Sequence, residues 1–95
     1  MGSSEVHGVF RLSDAAVAWR DVGGEIVGLD VANGTYFTLN GSGRVLWLAL
    51  VEASSVEDLA EALCAAYGVS GDRAVSDATT FLEDLVAREL VCAGD

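Results

Sequence analysis

Residues 34–40 read Gly34-Thr35-Tyr36-Phe37-Thr38-Leu39-Asn40. This β-branched and aromatic run lies between the turn pair Asn33-Gly34 and the breakers Asn40-Gly41, so it predicts one β-strand. The strand carries no charged residue, although the chain around it is acidic. An unguarded strand in a small sheet is either a central strand or an edge that stays open to a partner. Our functional interpretation depends on the open edge.

The sequence before this strand predicts two more strands. Residues 17–21 alternate apolar and polar positions, as a half-buried strand does, and residues 26–31 form a second apolar run. The pairs Gly23-Gly24 and Asn33-Gly34 are typical of tight hairpin turns. The three strands therefore form an antiparallel meander. The shorter segment 9–12 is expected to pair weakly or to cover one end of the core.

After Asn40 the hydrophobic period changes to that of helices. A first helix, capped by Asn40 or Ser42, carries the apolar run 45–51 toward the sheet and ends near Ala53. A second helix begins with a capping-box pattern at residues 54–58 and ends at Gly68.

A third helix opens at Gly71-Asp72. Strands followed by helices, rather than alternating with them, predict an α+β fold, with three α-helices packed on one face of the three-stranded antiparallel meander. Residues at three- and four-residue spacing form one stripe on the third helix. The stripe consists of Ala74, Asp77, Ala78, Phe81, Asp84, Leu85 and Arg88.

Length and composition predict a single folded domain. The chain has 95 residues, of which 52% are hydrophobic, with a mean hydropathy of +0.40, enough apolar surface for one core. We expect residues 1–7 to be a disordered N-terminus and residues 8–95 to form the domain.

The charge balance argues against two classes of partner. The 15 acidic residues outnumber the 5 basic ones, which are all Arg, and the formal net charge is −10. Phosphate contacts dominate nucleic-acid binding, so neither nucleic acid nor an anionic membrane is an expected partner. A winged-helix nucleic-acid-binding protein is the alternative of matching fold, but its third helix would offer only Arg73 and Arg88.

The chain offers no catalytic or metal-binding pattern. Cys64 and Cys92 are isolated, and His7 is the only imidazole, so neither a metal nor another cofactor is expected. No nucleophile and base are spaced on one element, which predicts that the protein is not an enzyme. There is no signal-peptide pattern, and residues 45–51 are too short to span a bilayer, which predicts a cytoplasmic protein.

Several motifs, each weak alone, occur in a specific order after about residue 15. They are GEIVGLD at 24–30, GTYFTLN at 34–40, Gly43 followed by VLW at 45–47, VEDLAEAL at 56–63, YGV at 67–69, DATTFLEDL at 77–85 and ELV at 89–91. In this order they resemble the PqqD-like leader-peptide-binding domains, also called RiPP recognition elements, which have a small winged-helix-like fold.

The resemblance implies a protein that binds the leader of a ribosomally synthesised precursor peptide and presents it to modifying enzymes. Within the family the chain looks most like the stand-alone recognition proteins of lasso-peptide biosynthesis, whose partners are a leader peptidase and an asparagine-synthetase-like cyclase. A PqqD-type peptide chaperone for a radical-SAM enzyme has much the same pattern and remains the alternative.

The resemblance also implies that the leader is added as a strand beside the third strand of the meander, against the third helix. The residues favour this edge, because the first strand carries Arg20 and Asp21 whereas the third is uncharged. Small side chains at Ala74 and Ala78 are expected to leave room for a bulky ligand residue. The predicted peptide-binding residues are Thr35, Tyr36, Phe37, Thr38, Leu39, Ala74, Asp77, Ala78, Phe81, Asp84, Leu85 and Arg88.

Two questions stay open at the level of sequence. Helical periodicity does not decide whether Phe81 and Leu82 line the groove or belong to the core. For the aromatic residues Tyr36, Trp19 and Trp47 the sequence favours a core role over a role in the groove, because large aromatic side chains usually fill the core of a small domain.

Overall fold

The computed structural model describes residues 8–93, so the predicted disordered segment 1–7 lies outside the described residues. Four strands come first and three helices follow. One short strand lies between the first two helices, and another follows the third helix. The elements are β1 (Val9–Leu12), β2 (Val17–Val22), β3 (Glu25–Asp30), β4 (Thr35–Leu39), α1 (Gly41–Ala49), β5 (Ser54–Ser55), α2 (Val56–Tyr67), α3 (Gly71–Ala87) and β6 (Val91–Ala93).

The strands form two antiparallel sheets. One is the meander β2-β3-β4, and the other has the order β5-β1-β6. The α+β class and the meander followed by three helices are thus confirmed, while the second sheet was not predicted. Strands β5 and β6 have 2 and 3 residues, too few for a hydrophobic period to show, and they pair with β1 across long sequence separations.

The two turns of the meander differ. Gly23 and Gly24 have φ values of 61° and 91°, and Val22 pairs with Glu25, as in the predicted two-residue hairpin. The second connection is longer than the Asn33-Gly34 turn that we predicted, because Asp30 pairs with Thr35 and residues 31–34 form the loop. The Asp30 carboxylate stabilises this loop by accepting hydrogen bonds from the Asn33 backbone N–H at 3.3 Å and from its Nδ2 at 2.9 Å.

The inner face of the meander packs on α1 through aromatic rings. Trp47 is completely buried, and its ring lies edge-on to Trp19 at 6.0 Å and tilted against Phe37 at 5.4 Å between centroids. Phe37 pairs across the sheet with Gly28 and covers it so closely that a Cβ at position 28 would collide with the ring. Trp47 is therefore a core residue, and Phe37 joins two strands to α1.

The helix ends follow local hydrogen bonds. Helix α1 begins after Asn40, whose side chain makes no capping bond, and ends at Ala49 rather than near Ala53. It stops early because Ser54 turns back, donating from its hydroxyl to the Ala49 carbonyl at 2.7 Å, and then pairs with β1.

The ends of α2 agree with the sequence pattern. Ser55 and Asp58 form the expected capping box, and Gly68 ends the helix with a φ of 68°. Helix α3 follows after Ser70, whose hydroxyl accepts from the Arg73 backbone N–H at 3.3 Å. The core stripe of α3 is formed by Ala74, Ala78, Leu82 and Leu85.

Replacing Gly28 by Ala is expected to destabilise the fold, because the new methyl group displaces the Phe37 ring from Trp47. Overpacking of this kind costs about 1–3 kcal/mol of unfolding free energy, measurable by urea denaturation. Gly71→Ala is the matched control: a Cβ there meets nothing within 4 Å and the φ is ordinary. A Gly28→Ala protein as stable as the wild type would contradict this account of the packing.

Candidate functional site

Strand β4 is the edge of the meander. It pairs with β3 along one side, and no strand within residues 8–93 pairs with its other side. The strand contains neither a charged residue nor a proline, so none of the usual side-chain devices that block an edge is present.

The hairpin register shows which backbone groups face the open side. The residues that flank a two-residue turn exchange hydrogen bonds, so Glu25 bonds toward β2, and residues along β3 then alternate. Gly28 consequently bonds toward β4, where its partner is Phe37. The N–H and C=O groups of Tyr36 and Thr38 therefore point away from β3, leaving two donors and two acceptors on the open edge. Outside the ladders, no backbone hydrogen bond among residues 8–93 involves either residue.

A groove lies between this edge and α3. Its volume is about 180 Å³, and its walls are mainly apolar. All of its lining residues except Leu90 were predicted from the sequence. They are Phe37, Thr38, Leu39, Phe81, Asp84, Leu85, Arg88 and Leu90.

The groove continues past Leu39 into a second cavity between α1 and α3. This cavity has a volume of about 430 Å³ and shares Phe81 and Asp84 with the first. Of its remaining lining residues only Asp77 was predicted. Thr80 continues the Asp77 spacing on α3 and was detectable from the sequence, whereas the α1 residues reach the site through tertiary packing. The residues that sequence reasoning missed here are Ser42, Gly43, Leu46 and Thr80.

Two predicted residues do not line the groove. Ala74 and Ala78 have no exposed surface and lie in the core that α3 shares with α2. The prediction that they leave room for a ligand side chain was wrong, because their side of α3 is turned toward the core. The orientation of α3 also separates the roles of Phe81 and Leu82. Leu82 is fully buried in the core, whereas Phe81 is half-buried and lines both cavities.

Two further predicted residues lie on β4 but outside the groove. Thr35 is exposed at the start of the strand. Tyr36 points to the opposite face of the sheet from Phe37 and is 74% exposed, since side chains alternate along a strand. It is not a core residue.

The charges at the groove are paired along α3. Asp84 Oδ2 lies 3.1 Å from Arg88 Nε, and Asp77 Oδ2 lies 3.4 Å from Arg73 Nε. Both pairs are at least half exposed, so each contributes little to stability. Their effect is that both carboxylates at the groove have a nearby cation, and the large negative charge of the chain is not concentrated there.

Helix α1, which forms one wall of the second cavity, is joined to β2 by a two-pronged ion pair. Arg44 donates to Asp21 from Nε at 3.2 Å and from Nη2 at 2.6 Å. These hydrogen bonds lower the pKa of Asp21 below its usual value and raise the pKa of Arg44.

Residues 8–93 contain neither a metal-binding cluster nor a membrane-spanning helix. Within residues 8–93, no cluster of His, Cys, Asp and Glu is placed to hold a metal ion. Over the same range, none of the helices combines the length and apolar composition needed to cross a bilayer. Cys64 is half-buried and Cys92 is exposed, and both are free thiols.

Comparison with known proteins shows the family. The model of coenzyme PQQ synthesis protein D (PqqD) matches residues 25–91, which is well over half of the chain. The chain belongs to the PqqD family. A comparison of the PqqD-like chain with curated proteins found no match.

A solved structure is also similar to this PqqD-family chain. TbiB1, in complex with the TbiA(beta) leader peptide, shares 34% sequence identity, and the two superpose with a TM-score of 0.76. The similarity covers 85% of this chain and 93% of TbiB1. The predicted resemblance to PqqD-like recognition elements is thereby confirmed.

Replacing Asp21 by Asn is expected to lower the thermal stability near neutral pH, because the mutant loses the ion pair with Arg44. The wild-type advantage is present above the unfolded-state pKa of about 3.9 and is lost as the pH falls through the lower folded-state pKa. Thermal unfolding from about pH 7 to about pH 3 tests this. Asp14→Asn, at an exposed residue without an ion pair to any described residue, is the control. A stability difference that persists unchanged into acid would exclude the ion pair as its cause.

Proposed function

We propose that this PqqD-family chain binds the leader segment of a ribosomally synthesised precursor peptide as an added strand along β4, against α3. The observation that carries the proposal is the juxtaposition of an open strand edge with an apolar groove. Main-chain pairing supplies affinity, and pockets for alternate side chains supply specificity. The similarity to TbiB1, whose structure contains a leader peptide, supports a leader peptide as the ligand.

The energetics require both parts of the site. Four backbone hydrogen bonds, two each at Tyr36 and Thr38, contribute about 1 kcal/mol apiece, which hardly offsets the several kcal/mol lost on association. Each ligand side chain buried in the groove adds about 1.5–3 kcal/mol. Two or three anchors would therefore bring the complex into the micromolar to nanomolar range.

The shape of the groove favours a ligand longer than β4. The apolar cavity beside Phe37 accepts side chains on the inner face of the added strand, and the cavity between α1 and α3 extends the same path beyond Leu39. Phe81 and Asp84 line both cavities, so the cavities are adjacent and one extended peptide can contact both. We infer that the anchors of the leader occupy these two cavities in succession.

The groove supports binding rather than catalysis. Neither cavity is lined by a His, Cys or Lys residue, so the hydroxyls of Ser42 and Thr80 lack the His or Lys base that commonly activates such nucleophiles. The nucleic-acid alternative is disfavoured by the net charge of −10. The bound leader is presented to separate enzymes, for which a leader peptidase and an asparagine-synthetase-like cyclase of lasso-peptide biosynthesis are our proposal.

The alternative partner is a radical-SAM enzyme, with the chain acting as a PqqD-type chaperone. The groove fits both cases, because each needs only an extended leader. The neighbouring genes separate them: a short precursor encoded with a peptidase and a cyclase supports the lasso assignment, and a precursor encoded with a radical-SAM enzyme supports the alternative.

Thr38→Pro is expected to weaken leader binding about fivefold or more, because it removes one outward donor and introduces a ring on the pairing edge. The Thr38 N–H points away from β3, so the meander keeps its own ladder. Fluorescence anisotropy with the labelled leader of the precursor encoded beside the gene measures the affinity. Glu61→Ala, at an exposed position on α2, is the control, and equal affinity for both variants would contradict strand addition.

Phe81→Ala is expected to weaken the same peptide about tenfold or more, because it removes the wall shared by both cavities. Val75→Ala is the matched control, since Val75 lies on the same helix, is 43% exposed and lines neither cavity. Circular dichroism must show that Phe81→Ala is folded. A folded Phe81→Ala protein with unchanged affinity would place the anchors elsewhere.

A further inference from the structure

The outer face of the meander, opposite the helices, ends at Tyr36 on the open edge. We propose that the leader is read on both faces of the sheet, and that its residue beside Tyr36 is apolar and packs on the Tyr36 ring. This inference rests on the proposed function, because it takes the added strand as the occupant of the edge. It assigns Tyr36 a specificity role outside the groove.

The first step is the direction of the side chains. Phe37 and Leu39 point to the inner face, so Tyr36 and Thr38 point to the outer face. The helices pack on the inner side, where Trp47 contacts Phe37 and Trp19. Tyr36 keeps 74% of its surface exposed, which is unusual for a large aromatic ring on a strand and leaves it available to a ligand.

The second step is the register of an added strand. Tyr36 and Thr38 carry the outward-facing N–H and C=O groups, so in antiparallel addition the ligand residues paired with them share their face. The side chains of those ligand residues therefore project to the outer side and never enter the groove. In either strand direction the ligand side chains alternate between the two faces. A recognition model that counts only groove contacts leaves out half of the paired residues.

The third step is the chemistry of this face near the edge. Tyr36 pairs across the ladder with Leu29, and Thr38 pairs with Val27, so the surroundings of the Tyr36 ring are apolar. Tyr36, Leu29 and Val27 border, together with Ala18, a shallow hollow of about 380 Å³. The charged residue of the hollow, Arg20, lies on β2, separated from β4 by the whole of β3.

An apolar ligand side chain therefore gains more beside Tyr36 than a charged one. Cross-strand pairs with an aromatic ring are favourable when the partner is aromatic or β-branched. The recognised segment is consequently expected to combine groove anchors two residues apart with an apolar residue between them. Continuity with the groove edge makes the leader itself the occupant of this surface, in preference to a second copy of the chain.

The test uses a phage-displayed library of random 12-residue peptides selected on the wild-type chain. Clones are kept when their binding is weakened by Thr38→Pro, which marks them as strand-edge ligands. Their affinities are then measured on Tyr36→Ser, Tyr36→Phe and Val22→Ser. Val22 is the matched control, because it is 50% exposed on the same face but lies on β2, two strands from the open edge.

We expect Tyr36→Ser to weaken binding about two- to fivefold, the size of an aromatic cross-strand pair. Tyr36→Phe is expected to retain the affinity, since the ring makes the contact, and Val22→Ser is expected to have no effect. When the library is selected again on Tyr36→Ser, the selected peptides are expected to keep their groove anchors. They are expected to lose the apolar preference at the position beside residue 36.

The outcomes separate this inference from the proposed function. Equal affinity on the wild type and Tyr36→Ser overturns the outer-face contact but leaves strand addition intact. An equal loss on Val22→Ser and Tyr36→Ser also overturns it, because the contact would then belong to the whole face. If no clone depends on Thr38, strand addition fails and the outer-face contact fails with it.

Discussion

The packing of Phe37 between Gly28 and Trp47 is the contact on which the rest of the structure depends. It joins β3, β4 and α1 at one point, and it requires a residue without a side chain at position 28. The indole Nε1 of Trp47 makes no hydrogen bond with any described residue, so packing alone holds this ring. A three-stranded meander is marginal by itself, and the aromatic contact is what attaches it to the helices.

The same contact shapes the proposed binding surface. With Phe37 turned inward, Leu39 follows on the same face, and a groove lies between these side chains and α3. The edge of β4 is consequently left beside a groove, and Phe37 lines that groove as well as the core. Stability and the proposed recognition share this residue. In the proposed mode of binding, a ligand that packs on Phe37 extends the core by one strand.

An uncharged edge strand is an aggregation hazard as well as a proposed binding site, since it can pair with another copy of the protein. The distribution of charge opposes such pairing between copies. The net charge of −10 makes two copies repel each other, while β4 itself stays free of charge and the carboxylates at the groove have Arg neighbours. Such a chain can keep its edge open to an extended peptide and still resist pairing with itself.

The sequence by itself determined the elements whose signals are local. Gly23-Gly24 specified a tight turn, the Ser55–Asp58 spacing specified a capping box, and the aromatic run 34–40 specified an uncharged strand. The order of the motifs also identified the family. Most of the groove residues on β4 and α3 followed from the two-residue period of a strand and the three- to four-residue spacing along one face of a helix.

Only the tertiary structure decided which side of α3 faces the groove. Ala74 and Ala78 share a stripe with Phe81 in the sequence, but the packing of α2 on α3 turned the alanines into the core and left Phe81 at the groove. Likewise, the strands β5 and β6 and the α1 wall of the second cavity arise from contacts between residues far apart in the chain. Local periodicity does not predict such contacts, because it specifies which residues share a face of an element but not which other element packs on that face.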